Sequence, residues 1–132
     1  MKYMLDTNSC IFLMKNTASV VEHYKAKKHF GICISAIVAA ELYFGIYNSA
    51  NIEKNGRSLA NFLTGLEIIE FDDRSSVDYG KIRAELKRKG QLIGDTDMFI
   101  AAHAKSLGLV LVTNNTREFQ RVEGLYIEDW LQ

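Results

Sequence analysis

The order of apolar segments predicts an α/β fold: a three-layer α/β/α sandwich on a short parallel sheet, in a single domain. Three observations carry this. Short apolar runs alternate with longer stretches of helical period, the signature of βαβ units. The runs are mostly continuous rather than alternating, as strands covered on both faces are. The 132 residues, 48% hydrophobic and 24% charged with no proline, suffice for one core but rarely divide in two.

Taken in order, residues 2–5 read as the first strand, followed by the polar connection Asp6-Thr7-Asn8-Ser9. Helical patterns follow at 11–14 and 17–30, the second more basic. Residues 31–35, β-branched and short, fit a buried strand. Residues 36–49 and 52–66 are helical and meet near 48–51. A third strand covers 66–71, and 73–89 form a long amphipathic helix. Gly90 and Gly94 bracket a loop, and residues 96–106 form a helix that Gly108 ends. The fourth strand, 109–112, runs into Thr113-Asn114-Asn115, and 124–127 make a short last strand.

Several classes are excluded. The longest apolar runs, 37–40 and 107–112, fall far short of the roughly 20 residues that cross a bilayer. Residues 1–5 lead straight into Asp6, leaving no room for the apolar region of a signal peptide. Cys10 and Cys33, the two cysteines, are too few for a disulfide framework or a zinc site and read as small core residues. A cytoplasmic setting is expected. Sixteen basic and sixteen acidic residues give zero net charge, without the basic excess common in nucleic-acid binders. Gathering several carboxylates into one pocket would leave the remaining surface correspondingly basic.

Ligands of open parallel sheets bind beyond the carboxyl ends of the strands. Asp6 directly follows the first strand, and Thr113, Asn114 and Asn115 follow the fourth. Glu41 falls in the second turn of the helix after residues 32–34. Asp97 lies in the first turn of the helix leading into the fourth strand. Helix starts and strand ends share one edge, so these groups converge there. At about 100° per residue, Glu41 projects between Ile37, Val38 and Gly45, and Asp97 follows Ile100, Ala101 and Ala104. Carboxylates on such apolar stripes are costly without compensation. Two like charges about 4 Å apart repel by roughly 4 kcal/mol at an effective dielectric near 20, so three together need a cation or a shared proton. Oxygen-only ligands point to magnesium or manganese. Each residue also has a plainer role: Asp6 and Asp95 as helix caps, Asn114 and Asn115 as a turn. The combination carries the weight. His103, two turns into its helix and around from Asp97, reads as a packing residue.

At this point the residues resemble a family. Met4-Leu5-Asp6-Thr7-Asn8, then Ser35-Ala36-Ile37 with Ala40-Glu41-Leu42 and Gly45, are similar to the opening of VapC-type PIN-domain toxins. Ile82-Arg83-Ala84-Glu85-Leu86 with Lys89-Gly90, and the segment from Ile93-Gly94-Asp95-Thr96-Asp97 to Ala104, resemble its middle motifs. Leu109 to Phe119, and Ile127-Glu128-Asp129-Trp130, resemble its end. These proteins are ribonucleases of type II toxin–antitoxin systems. The resemblance implies an endoribonuclease that uses Mg2+ or Mn2+, cuts structured RNA such as tRNA by metal-activated water attack on a phosphodiester, and is inhibited by a VapB-type antitoxin. It matches Asp6, Glu41 and Asp97 to the acidic positions. The fourth position, acidic in some members, matches Asn115 here, which brings no charge. Asp95 is an extra acid, placed with the metal ligands. Thr7, Asn8, Thr113 and Asn114 would orient the ligands or contact phosphate.

RNA needs positive surface. The candidates are Lys25, Lys27 and Lys28 on one helix, Lys87, Arg88 and Lys89 at the end of another, and Arg117 and Arg121. Ile11, Phe12 and Leu13, with Tyr43, Phe44, Ile46 and Tyr47, supply more large apolar side chains than a small core needs. They fit an antitoxin helix in a groove, with Ile11, Phe12, Tyr43, Phe44 and Tyr47 as its contacts, or a homodimer; a homodimer or a toxin–antitoxin hetero-oligomer is expected. Rival readings fare less well. A phosphotransferase using Asp6 as nucleophile would want a second adjacent acid, and Asp6-Thr7-Asn8 lacks it. A nucleotide-binding domain would show a glycine-rich phosphate loop, and none occurs. A catalytically inactive binding module of the same fold is the remaining alternative, against which stands the retention of all three acids.

Overall fold

The computed structural model describes residues 2–132; Met1, with which the N-terminal segment opens, lies outside them. Five strands, β1 (Tyr3–Leu5), β2 (Ile32–Ser35), β3 (Glu67–Ile69), β4 (Val110–Val112) and β5 (Tyr126–Glu128), run parallel in the order β3-β2-β1-β4-β5. Around them lie α1 (Thr7–Met14), α2 (Ala18–Lys27), α3 (Ala36–Tyr47), α4 (Ile52–Thr64), α5 (Asp73–Arg88), α6 (Asp95–Ser106) and α7 (Thr116–Phe119), with a 3-10 turn at Lys28–Phe30. This is the expected α/β fold. Of the inner strands, β1 and β2 are wholly buried and β4 is buried but for half-buried Val110, whereas β3 at one edge and β5 at the other keep exposed side chains. Met4 and Leu111 from adjacent strands meet Val38, Ile100, Ala101 and Leu86 in one core. Cys10 and Cys33 are fully buried free thiols, as their reading as core residues required.

The chain lays β2 and β3 on one side of β1, then returns to place β4 and β5 on the other. The carboxyl ends of β1 and β4 therefore flank the point where strand order reverses, the usual ligand crevice of such sheets. The element that completes this crevice is α6. Six of its residues are buried, from Met98 to Ala104, so its apolar surface wraps most of its circumference, as in a helix covered on several sides. It ends in a Schellman motif: Gly108 adopts φ 67°, Leu109 N–H donates to Ala104 O at 2.9 Å and Gly108 N–H to Lys105 O at 3.1 Å. That motif turns the chain directly into β4.

Two elements differ from the sequence reading. Residues 7–9, read as part of a polar connection, are the first turn of α1, because Asp6 caps the helix by accepting Ser9 N–H at 2.8 Å. Residues 116–119, given no element, form α7, whose four residues are too few to show a period. No helix among the described residues is long and apolar enough to cross a membrane.

Candidate active site

Asp6 stands at the reversal point. Its N–H donates to Val112 O at 3.0 Å, and Ser9 Oγ donates to the same carbonyl at 3.0 Å, locking the exit of β1 to that of β4. Its side chain is only 5% exposed. Burial raises its pKa above the ordinary carboxylate value; the Thr113 hydroxyl and the Ser9 donors pull it back, and the nearby charge of Glu41 adds to the rise. Thr113, fully buried, thus faces Asp6 with its hydroxyl, which also accepts Asn115 N–H at 3.0 Å.

Two further helices bring acids to this point. Glu41 sits half-buried on α3, and the Thr7 hydroxyl of α1 donates to its Oε1. Asp97 sits half-buried in the first turn of α6. Its pKa is pushed up to about 6, first by burial and then by the charges of Asp6, Glu41 and Glu118. Asp6, Glu41 and Asp97 therefore share one electrostatic environment, as predicted. Glu118 was missed. It lies on α7, and Asn115 Nδ2 donates to its Oε2 at 3.1 Å. The position that lacked an acid in the sequence instead holds one three residues on. The signal was an Asn-to-Glu spacing of three on a helix, invisible while no helix was assigned there.

Among the described residues, no basic side chain pairs with these four carboxylates. The ion pairs among the described residues are Lys27–Glu128, Arg83–Asp95 and Lys89–Glu85, none of which reaches them. As the side chains stand, the described residues contain no closed group of three or more His, Cys, Asp or Glu ligands; a cation would have to draw the carboxylates inward. The donor set, oxygen only, with Asp6 and Asp97 raised in pKa and no basic partner among the described residues, fits a hard dication such as Mg2+ or Mn2+.

Other expected residues fall elsewhere. Asp95 does not join the cluster: it is exposed, with Oδ1 3.7 Å from Arg83 Nη1, because a helix places it about 200° around from Asp97. Nor does it cap α6, whose N-cap is Gly94. Asn8 and Asn114 are exposed beside the mouth. Lys25, Lys27 and Lys28 are not brought to it. They lie where α2 and the 3-10 turn feed the start of β2, and Lys27 is tied to Glu128 at 2.6 Å. By contrast, α5 runs antiparallel to α6, with Ser75 against Ser106 and Arg83 near Asp95. This puts exposed Lys87 and Arg88 on the side of the α6 N-terminus, while Lys89 is bound to Glu85 at 2.9 Å. Arg117 is exposed beside Glu118, and Arg121 reaches the Gln91 and Leu92 carbonyls.

A groove of about 290 Å³ adjoins the acids, lined by Thr7 and Glu41 at one end and by Ile11, Met14, Leu42, Ile46 and Leu59 along its length. Tyr43, Phe44 and Tyr47 stand exposed on α3 nearby, at 45%, 69% and 71%, whereas Ile11 and Phe12 are half-buried against the core. His103 is buried, its Nδ1 2.7 Å from Ser35 Oγ.

Comparison with known proteins shows the family and the fold. The PIN domain family model matches residues 3–125. The tRNA(fMet)-specific endonuclease VapC of Salmonella typhimurium is 44% identical, over 98% of both chains. Ribonuclease VapC2 of Haemophilus influenzae is 41% identical, over 99% of both. Among solved structures, VapBC2 from Rickettsia felis bound to a promoter DNA fragment superimposes with a TM-score of 0.94 at 41% identity, covering 98% of this chain and 99% of that one.

Proposed function

The chain belongs to the PIN-domain family, among its VapC ribonucleases, and from that premise we propose that it is a divalent-metal-dependent endoribonuclease, the toxin of a cytoplasmic toxin–antitoxin pair, acting on structured RNA and on tRNA first of all. The observation that supports this best is the cluster of Asp6, Glu41, Asp97 and Glu118 at the sheet's reversal point, four acids with no internal cation and a pKa of about 6 at Asp97. A surface chosen for stability alone would pair or disperse them.

Asp6, Asp97 and Glu41 would hold the ion, with Glu118 as a fourth oxygen donor replacing the amide of Asn115. When bound, a Mg2+ or Mn2+ ion supplies a Lewis acid that polarises a phosphodiester and makes water a competent nucleophile at neutral pH. The residues around it fix the donors. Ser9 N–H occupies Oδ1 of Asp6 and the Thr113 hydroxyl faces the same carboxylate, limiting its rotation. Thr7 orients Glu41, and Asn115 orients Glu118. Such orienting partners typically contribute about 10–100-fold in metal affinity or activity. Arg117 and the basic end of α5 flank the mouth and suit phosphates of an RNA loop, whose bases can be splayed out. The relative from Salmonella typhimurium is named for tRNA(fMet), which makes initiator tRNA the first substrate to try.

The antitoxin is a VapB-type protein, in keeping with the VapBC complex to which the fold is similar. Its amphipathic segment would lie along the groove beside Glu41 and cover Tyr43, Phe44 and Tyr47. The exposed aromatics are the observation that favours this over a purely internal role. Replacing Phe44 and Tyr47 together by serine should weaken antitoxin capture by more than about tenfold, the loss of two buried aromatic anchors; unchanged capture would move the partner elsewhere.

The activity itself is tested by incubating the chain with total tRNA in Mg2+, in Mn2+ and in chelator, and mapping the ends. Cleavage in metal only, leaving 5′-phosphate and 3′-hydroxyl ends and lost in Asp6→Asn, is the expected result. Cutting in chelator, or by Asp6→Asn at the native rate, would reject it.

A further inference from the structure

We infer that His103 is a positioning residue, a buried tie that fixes the distance between the helices carrying Glu41 and Asp97 and so sets the affinity of the acidic cluster for its divalent cation. The inference rests on the metal-binding reading of that cluster.

The two ends of the tie are placed alike. Ser35 ends β2 and caps α3, accepting Ile37 N–H at 3.0 Å, and Glu41 follows six residues later. His103 follows Asp97 by six residues on α6. The contact between them, His103 Nδ1 to Ser35 Oγ at 2.7 Å, lies in the interior, with the serine 0% and the histidine 1% exposed. Six helical residues span roughly 9 Å of stiff rod. A single short bond therefore pins two rigid arms, each bearing an acid that repels the other.

The rest of the ring's surroundings agree. Its Nε2 is buried without a hydrogen-bond partner; the Glu70 backbone, which weakly favours the charged ring, falls short of one. An apolar residue would fill this space without leaving such an orphan, so packing alone does not account for a histidine here. Phe71 meets the ring edge-on at 5.3 Å. Behind it, Ser106 Oγ donates to His103 O at 2.9 Å and lies 2.9 Å from Ser75 Oγ, which donates to Asp72, so α6 is braced on α5 as well. Burial lowers the imidazole pKa and so disfavours the charged ring. The arrangement that satisfies most groups then has the Ser35 hydroxyl donating to Nδ1 while it accepts Ile37 N–H. No acid of the cluster touches the ring, so His103 acts through Ser35 and not on substrate.

The test is calorimetric titration of the full chain with Mn2+ alone, with tRNA cleavage measured in parallel. His103→Leu and Ser35→Ala should each bind Mn2+ about tenfold more weakly, within the 10–100-fold range for groups that orient ligands. The double variant should be no weaker than Ser35→Ala, which has already lost the bond to His103 along with the cap on Ile37 N–H. His103→Asn, whose amide occupies the Nδ1 position, should restore affinity to within about threefold, and His103→Gln, whose amide lies farther out, should not. Native affinity in His103→Leu, or additive losses in the double variant, would overturn the tie while leaving the nuclease reading intact if the unaltered chain binds Mn2+ and cuts. Failure of the unaltered chain to bind Mn2+ would overturn both. Should the leucine and alanine variants not fold, equal affinities of His103→Asn and His103→Gln would reject the tie, and a tenfold gap between them would support it.

Discussion

The molecule draws carboxylates out of water at two places, and treats them in opposite ways. At the end of β5, Glu128 meets Lys27 at 2.6 Å and the Trp130 indole N–H at 3.0 Å, while Lys27 also contacts His23 at 2.9 Å and lies over the Trp130 ring. Burial opposes the charge of Glu128, but Lys27 and Trp130 outweigh it and its pKa falls. At the mouth between β1 and β4, burial dominates, like charges add to it, and the pKa values of Asp6 and Asp97 rise. The first cluster is complete in itself and locks the C-terminal residues onto β1 and α2. The second has no such internal partner among the described residues, and in the proposed reading an external cation completes it. A raised pKa without an internal partner separates a site from a structural ion pair more surely than burial does, since both places are buried in part.

The difference can be broken most forcefully at Asp97. Asp97→Asn should lower RNA cleavage by more than about 100-fold, beyond the 10–100-fold typical of groups that only orient a ligand. The same variant should stabilise the metal-free chain at pH 7. Asp97 binds its proton more tightly folded, near 6, than unfolded, near 3.8, so raising the pH between those values destabilises the fold. Melting curves in chelator should show the native chain losing stability from pH 4 to pH 6 relative to Asp97→Asn, and Mg2+ at pH 7 should restore it. A variant that is both inactive and less stable across this range would contradict the contrast.

Glu118→Gln comes next. It keeps the bond to Asn115 and removes one charge, so Mn2+ affinity measured by calorimetry should fall by about tenfold, with thermal stability held or slightly raised. At the Glu128 cluster the pattern reverses. Lys27→Met should cost about 1 kcal/mol, as for a half-exposed ion pair, seen as a melting temperature lower by roughly 4 °C, with cleavage within about twofold of native. The smallest effect belongs to Asp95→Asn. This acid is exposed and pairs loosely with Arg83 at 3.7 Å, so cleavage and stability should each change by no more than about twofold or 0.5 kcal/mol.

The same contrast shows how much was legible in the chain. Asp6, Glu41 and Asp97 could be found because each breaks a local rule: an acid directly after an apolar strand, or on the apolar stripe of a helix. The sheet was legible because its inner strands are unbroken apolar runs flanked by helical periods. Glu118 escaped because its helix is one turn long and the resemblance matched the fourth acidic position to Asn115. Asp95, an extra acid grouped with the metal ligands, lies apart from them because neighbours on a helix diverge by about 100° per step. Lys27 was overvalued for a different reason. Its partner lies 101 residues away, and no local pattern reveals a cross-chain ion pair. The tie between His103 and Ser35, separated by 68 residues, was hidden in the same way.

The claim on which all this depends is that the four acids at the sheet's reversal point exist to hold a hard dication. A crystal of the chain soaked in Mn2+ and measured at the manganese absorption edge tests it directly. The account predicts an anomalous peak coordinated by Asp6 and Asp97, with Glu41 and Glu118 turned toward it. A protein saturated with Mn2+ in which those carboxylates remain apart and the only peaks lie elsewhere would contradict it.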